Sequence, residues 1–239
     1  MDYSFVAARA ETLRGRIEAA ARRSGRSLSD VELLAVTKFH PVEAAEAAWA
    51  AGIGSFGESR VQEAEAKFPA FRAARQGARL DMIGHLQANK AKRAALLFDR
   101  VQSVDSLELL ENLDGQARKA GKRLEILLEL HTGEESKEGF SDADELFRAL
   151  DSYLSRDERS LEPRGLMTMA PLMASSGETA VRASFRTLRA ALEGAQARFD
   201  LGRLDLLSMG MSGDFELAVE EGSTIVRVGT ALFGERQAR

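Results

Sequence analysis

The chain contains no cysteine. Disulfides, thiolate metal sites and cysteine nucleophiles are therefore excluded together, and the chain is compatible with a reducing compartment. Long apolar runs are missing too: no stretch reaches the roughly 18 residues of a membrane span. The opening segment, MDYSFVAARAETLRGRIEAAARRSGR, lacks the continuous apolar core of a signal peptide. A soluble, cytoplasmic protein is expected, with no membrane partner. GxxxxGKS/T does not occur, so P-loop nucleotide chemistry has no support. His40, His85 and His131 have no metal-type spacing and HExxH is absent, so no metal is expected. The net charge of -4 argues against a nucleic acid held by bulk electrostatics, but permits a local basic pocket for a small anion.

What is present is a rhythm. After an amphipathic helix at about 4–23, short β-rich runs alternate with helical runs rich in Ala, Leu, Glu and Arg. The spacing predicts strands at 31–38, 54–59, 80–86, 99–105, 123–130, 162–169, 203–210 and 223–230. It predicts helices near 42–51, 60–74, 89–97, 106–118, 142–154, 177–195 and 213–220. Asp105 with Glu108, and Ser59 with Gln62, read as capping boxes, while Gly52 and Gly121 sit where helices should stop. Alternating units with short connections imply a parallel sheet. Eight strands on this length favour a single (β/α)8 TIM barrel over a doubly wound open sheet. No Pro/Gly-rich linker or composition break divides the chain, so 1–239 reads as one domain.

A barrel places functional groups at the C-terminal ends of its strands. Lys38, ending LLAVTKFHP, is at such an end, as are Glu58, Ser59, His85, Ser103, Asp105, His131, Met167 and Met169. Arg227 lies inside the last strand and is followed by Gly229 and Thr230; the preceding unit, LLSMGMSGDFE, offers Ser208, Gly210, Ser212 and Gly213. Two Gly/Ser/Thr-rich turns after the last two strands suit a phosphate, though plain βα turns favour the same residues. Arg227 suits a planar anion or an aromatic nitrogen; a carboxylate-paired interior arginine is the alternative. Lys38 across the rim from a phosphate is the arrangement for a Schiff base with a phosphorylated carbonyl compound. A lysine of ordinary pKa, about 10.4, is neutral in only about one molecule in a few thousand at pH 7, so burial at the mouth would have to free the amine. IGHLQANKAKR (83–93) places Asn89 and Lys90 near the mouth, with Lys92 and Arg93 on a solvated face. The polar loop 131–140 reads as a lid or a plain surface loop.

Over about residues 5–236 the chain resembles the YggS/PROSC family of pyridoxal phosphate homeostasis proteins. The carrying segments are LLAVTKFHP, FGESRVQEAEAK, IGHLQANK, VQSVDSLEL, GEESKEGF, RGLMTMAP and LSMGMSGDFELAVEEGSTIVRVGTALFGER. The resemblance implies a barrel similar to the barrel domain of alanine racemase, without its second β domain. It implies pyridoxal 5′-phosphate held as an imine on Lys38, with the phosphate on Ser212, Gly229 and Thr230 and with Arg227 near the pyridine nitrogen. Asn89 would line the cofactor, and Met209 or Met211 would pack near it. Ser59, His85 and Met167 would border the mouth. Three positions depart from the family's pattern: Ser59 replaces an asparagine, Asp81 and Met82 stand where a histidine often precedes the IG pair, and His131 stands where an asparagine is common.

Two-base racemisation needs a group on each face of the carbanion. In alanine racemase-like enzymes the second base is a tyrosine from the β domain of a partner. The tyrosines here, Tyr3 and Tyr153, read as helical and away from the rim. The expectation is a monomer that binds, buffers or delivers pyridoxal phosphate, with apo-enzymes as recipients, in vitamin B6 and amino-acid homeostasis. The alternative is a pyridoxal phosphate-dependent racemase of low activity, using His85 or water as second base.

Overall fold

The computed structural model describes residues 2–133 and 138–235. Eight strands close a parallel barrel in sequence order: β1 (Glu32–Val36), β2 (Ser55–Glu58), β3 (Arg79–Met82), β4 (Arg100–Val104), β5 (Leu124–Glu129), β6 (Leu161–Met167), β7 (Leu206–Ser208) and β8 (Ile225–Val228). The seam is β8 on β1, with Leu34 opposite Arg227. All eight predicted strands are present, each shortened at one or both ends. The helices are α1 (Val6–Arg23), α2 (Val42–Ala50), α3 (Val61–Ala74), α4 (Ala91–Leu97), α5 (Leu107–Lys119), α6 (Ala143–Leu154), α7 (Met173–Arg198), α8 (Phe215–Glu220) and α9 (Thr230–Phe233). α7 begins earlier than its periodicity suggests and breaks at Gly177. Among the described residues, no helix is long and apolar enough to cross a membrane.

α1 buries the stripe Val6, Ala10, Leu13, Ile17, Ala20 and Ala21, spaced for one helix face. It packs against α8, α2 and α9. Among the described residues a four-residue helix, α9, follows β8, and α1 lies over it between α8 and α2. This docking corrects the reading of Tyr3. The residue lies ahead of α1, and its hydroxyl sits 3.3 Å from His40 Nδ1, at the C-terminal rim rather than away from it. Tyr153 is far from the rim, as expected. Its hydroxyl donates to Asp114 Oδ1 (2.9 Å) and accepts from Leu161 N–H (2.9 Å), at the opposite end of the barrel.

Two caps also differ from expectation. Ser106, one residue later than predicted, caps α5 by accepting from Leu109 N–H; Asp105 is left to pair with His85. α3 starts after Arg60, and Ser59 does not cap it. Gly52 and Gly121 do end helices, with φ of 76° and 61°.

The barrel interior is unusually polar. Its apolar layer is Leu34, Val36, Leu127, Met167 and Ile225. Below lie charges paired within the barrel: Arg100 donates to Asp81 Oδ2 (2.6 Å) and reaches Glu32, and Arg164 reaches Glu125 and Asp205. Such pairs are costly to desolvate and costlier to break one-sidedly, so they hold the floor in a single arrangement. A Cβ at Gly165 would stand 1.9 Å from Leu206 O across the β6–β7 step, a contact no side chain can make. Gly165→Ala is expected to destabilise the fold by at least about 2–3 kcal/mol, read as a lower urea midpoint with unchanged slope.

Candidate functional site

Two cavities open at the C-terminal ends of the strands. The smaller, about 220 Å³, is lined by Val36, Lys38, His40, Ile83, Met169, Met211, Ser212, Gly213, Arg227, Gly229 and Thr230. The larger, about 690 Å³, shares Lys38, Ile83 and Met169 with it and continues past Ser59, Arg60, His85, Gln87, Lys90 and Glu138. Lys38 therefore stands where the two meet. A deep end floored by Arg227 adjoins a wide polar mouth.

The predicted residues sort by where strand geometry sends them. Lys38, Ser212, Arg227, Gly229 and Thr230 converge on the smaller cavity; Ser59 and His85 border the larger. Met209 does not reach either. On β7, Leu206 packs with the interior layer and Ser208 points inward, so alternation turns Leu207 and Met209 toward the helices. Met211, past the strand end, lines the cavity instead. Met167 is buried in the interior layer and Met169, two residues on, lines both cavities. Asn89 is the exposed middle residue of a 3-10 turn, Ala88–Lys90, and lines neither cavity; the turn presents Lys90. Arg93 pairs with Glu65, consistent with an outer face. Residues 134–137 of the 131–140 loop lie outside the described residues. The loop's ends are pinned by His131 N–H to Phe140 O (2.9 Å) and Phe140 N–H to Glu129 O (2.7 Å). Sequence reasoning missed Val36, His40, Ile83 and Glu138. Met169, placed with Met167 at the strand end, lines both cavities, and Gln87 of the polar 83–93 segment lines the larger.

Arg227 is 4 % exposed and makes no ion pair with a described carboxylate. Nη1 donates to Ser208 Oγ (2.6 Å) and Nη2 to Thr168 O (2.8 Å). Ser208 in turn donates to Gln102 Oε1 (2.5 Å), and Gln102 Nε2 donates to Asp81 Oδ2 (2.5 Å). Arginine has no acceptor, so the Ser208 hydrogen must go to Gln102, and every donor along the chain points toward Asp81. The guanidinium is thus clamped by neutral groups. Burial pulls it down to about 10 against the upward pull of Glu129 and Asp214. A buried cation without a contacting anion, at the wall of a cavity, suits a ligand that accepts hydrogen bonds. Among the described residues the interior's arginine–carboxylate pairs are made by Arg100 and Arg164, not by Arg227.

Opposite it, Ser212 Oγ accepts from Ala231 N–H (3.1 Å), which sets Ser212 against the Gly229–Thr230 turn. Two hydroxyls and a glycine backbone meet there, with the basic Arg227 behind them. At the mouth, His85 Nδ1 lies 3.0 Å from Asp105 Oδ2. Ser59 Oγ is buried with no hydrogen-bond partner among the described residues. Phe39, beside Lys38, has φ 66°, a strain of about 1–3 kcal/mol for a non-glycine residue.

Glu129 ends β5, buried on the inward face two residues beyond Leu127. Burial pushes it up to about 7, opposed by Arg227 and aided by Glu138 and Asp105. The folded state therefore holds a proton that the unfolded state gives up near the ordinary carboxylate value. This contribution to stability is complete at low pH and is lost as pH rises through about 7. Glu129→Gln is expected to stabilise the protein by roughly 1–3 kcal/mol at pH 8 and by little at pH 4.5, measured by denaturant unfolding at each pH.

Comparison with known proteins follows this geometry. Residues 10–237 match the family model described as alanine racemase, N-terminal domain. A pyridoxal phosphate homeostasis protein of Vibrio alginolyticus is 38% identical, over 95% of both chains. PipY of Synechococcus elongatus, solved with pyridoxal phosphate bound, superposes with a TM-score of 0.80 at 38% identity, covering 96% of this chain and 100% of that one. An alanine racemase of Streptomyces coelicolor shares the fold, with a TM-score of 0.70 at 24% identity over 94% of this chain and 58% of its own. The closed eight-stranded barrel and near-complete coverage of these relatives place the chain in the alanine racemase N-terminal domain family, among the pyridoxal phosphate homeostasis proteins.

Proposed function

We propose that this protein binds pyridoxal 5′-phosphate at the junction of the two cavities and serves vitamin B6 homeostasis by holding the cofactor reversibly and releasing it to apo-enzymes. The observation that carries this reading is that Lys38 and the buried, anion-free Arg227 line one 220 Å³ cavity together with the Ser212, Gly229 and Thr230 turn. When bound, the cofactor supplies an aldehyde that condenses reversibly with a primary amine, and a phosphate that anchors it.

Each residue has a distinct task. The Lys38 amine is the tether. Ser212, Gly229 and Thr230 hold the phosphate through hydroxyl and backbone donors. Arg227 offers only donors, so it meets the ring nitrogen as an unprotonated acceptor. Fixed by Ser208 and Thr168, its guanidinium has little freedom to swing out. The wide mouth on the other side of Lys38 admits water and a competing amine, which favours exchange over retention. Coverage of 95% of a curated homeostasis protein supports the same role.

A low-activity racemase is the second reading, favoured by one observation: His85, steadied by Asp105, lies in the same cavity as Lys38. Among the described residues, no tyrosine lines either cavity. Solvent deuterium entering Cα of free amino acids, and lost in Lys38→Ala, would establish that reading; none across a panel of amino acids would remove it.

The purified chain mixed with pyridoxal phosphate should develop a new absorbance band. Borohydride should then fix the label on the peptide containing Lys38, and Lys38→Ala should show neither. A flat titration of the native chain would overturn the assignment. Arg227→Met is expected to bind at least about tenfold more weakly, the loss of one hydrogen bond from a charged donor.

A further inference from the structure

The turn that carries Lys38 is held by a residue distant in sequence. Thr37 to His40 form a four-residue turn closed by His40 N–H to Thr37 O at 3.1 Å. Its third residue, Phe39, has φ 66°, a conformation that such turns usually give to glycine or asparagine. Left to itself a Lys-Phe pair would not prefer this shape. The turn is clamped from α3. Lys67 Nζ donates to Thr37 O (2.8 Å) and to His40 O (2.9 Å), the carbonyls on either side of the Lys38–Phe39 pair. The same ammonium sits 2.6 Å from Glu58 Oε1 and 3.1 Å from Glu63 Oε1. Glu58 Oε1 also accepts from Thr37 Oγ1 (2.7 Å), and Glu63 Oε1 from Phe39 N–H (2.6 Å). Glu58 is fully buried and the Lys67 side chain nearly so. The arrangement is a compact unit of one cation, two carboxylates and four turn groups, and Lys67 lines neither cavity.

We propose that Lys67 is the positioning residue for Lys38. Its ammonium holds the strained turn shut and so fixes where the Lys38 amine stands between the two cavities. It does not touch the ligand. This rests on the reading of Lys38 as the tether of pyridoxal phosphate. A short buried brace is suited to the task, because a turn free to relax at Phe39 would move the preceding side chain away from the cavity junction.

The test compares two probes on the full chain. Pyridoxal 5′-phosphate can condense with an amine; pyridoxine 5′-phosphate has an alcohol in place of the aldehyde and cannot. The native chain should bind the aldehyde more tightly than the alcohol. Lys67→Met should lose about tenfold or more in affinity for the aldehyde, and in borohydride-fixed label on Lys38, while binding the alcohol within about twofold of native. Lys67→Arg, which keeps the charge and several donors, should retain part of the difference. If Lys67→Met fails to fold by circular dichroism and thermal melting, Lys67→Gln gives the same comparison. Native-like binding of the aldehyde by the variant would overturn the proposal, as would an equal loss for both probes, which marks general damage. A native chain that binds aldehyde and alcohol alike would instead remove the tether itself, a result distinct from either.

Discussion

A positive charge sealed into the barrel, with no contacting anion among the described residues, is the constraint around which the rest of the site is arranged. Arg227 enters from β8, the strand that closes the barrel on β1, and its donors go to a serine hydroxyl and a backbone carbonyl. Neutral acceptors orient a guanidinium but do not neutralise it. The cavity above it therefore suits an electron-rich partner. The turn of Ser212, Gly229 and Thr230 lines the same cavity, and so does Lys38, two residues past the end of β1, the strand next to β8.

The interior below explains how such a charge is tolerated. Asp81 collects donors from Arg100 and Gln102, and Gln102 passes the polarity on through Ser208 to Arg227. Asp81 Oδ2 accepts from both Arg100 and Gln102, so it is the acceptor end of that chain; burial lifts its carboxyl to about 6, with Arg100 pulling the other way. The interior holds Asp81 as an acceptor facing two donors. The apolar layer of Leu34, Val36, Leu127, Met167 and Ile225 separates part of this floor from the mouth, so the polar chain that crosses it on β4 and β7 is the direct connection between the two.

Much of the site was legible because strand ends are legible. LLAVTK, LLSMG and IVRVGT each run from apolar residues into Lys, Ser, Gly or Thr, and a parallel barrel collects such ends on one rim. Where legibility failed, the error was a step or two along the chain. Met209, directly after β7, packs outward into the core, and Met211, two residues on in the turn, lines the cavity. Asn89 and Lys90 differ by one step around a 3-10 turn. Asp105 reads as the α5 cap, yet the adjacent Ser106 takes the cap, freeing Asp105 for His85. Tyr3 was misplaced for a different reason: nothing local in the first residues says which part of the rim α1 will lie against.

The sequence by itself determined the alternation of strands and helices, the barrel, the family and the placing of Lys38, Arg227 and the two polar turns at one rim, because these depend on periodicity and on short segments read in order. Tertiary structure decided what those residues face. That Arg227 has no carboxylate partner among the described residues, that a hydrogen-bond chain through Ser208 and Gln102 links it to Asp81, and that Lys67 reaches the Lys38 turn all involve residues from 19 to more than a hundred positions apart. Such pairings depend on closure of the sheet and on the register between strands, which the chain sets only when all eight strands are in place.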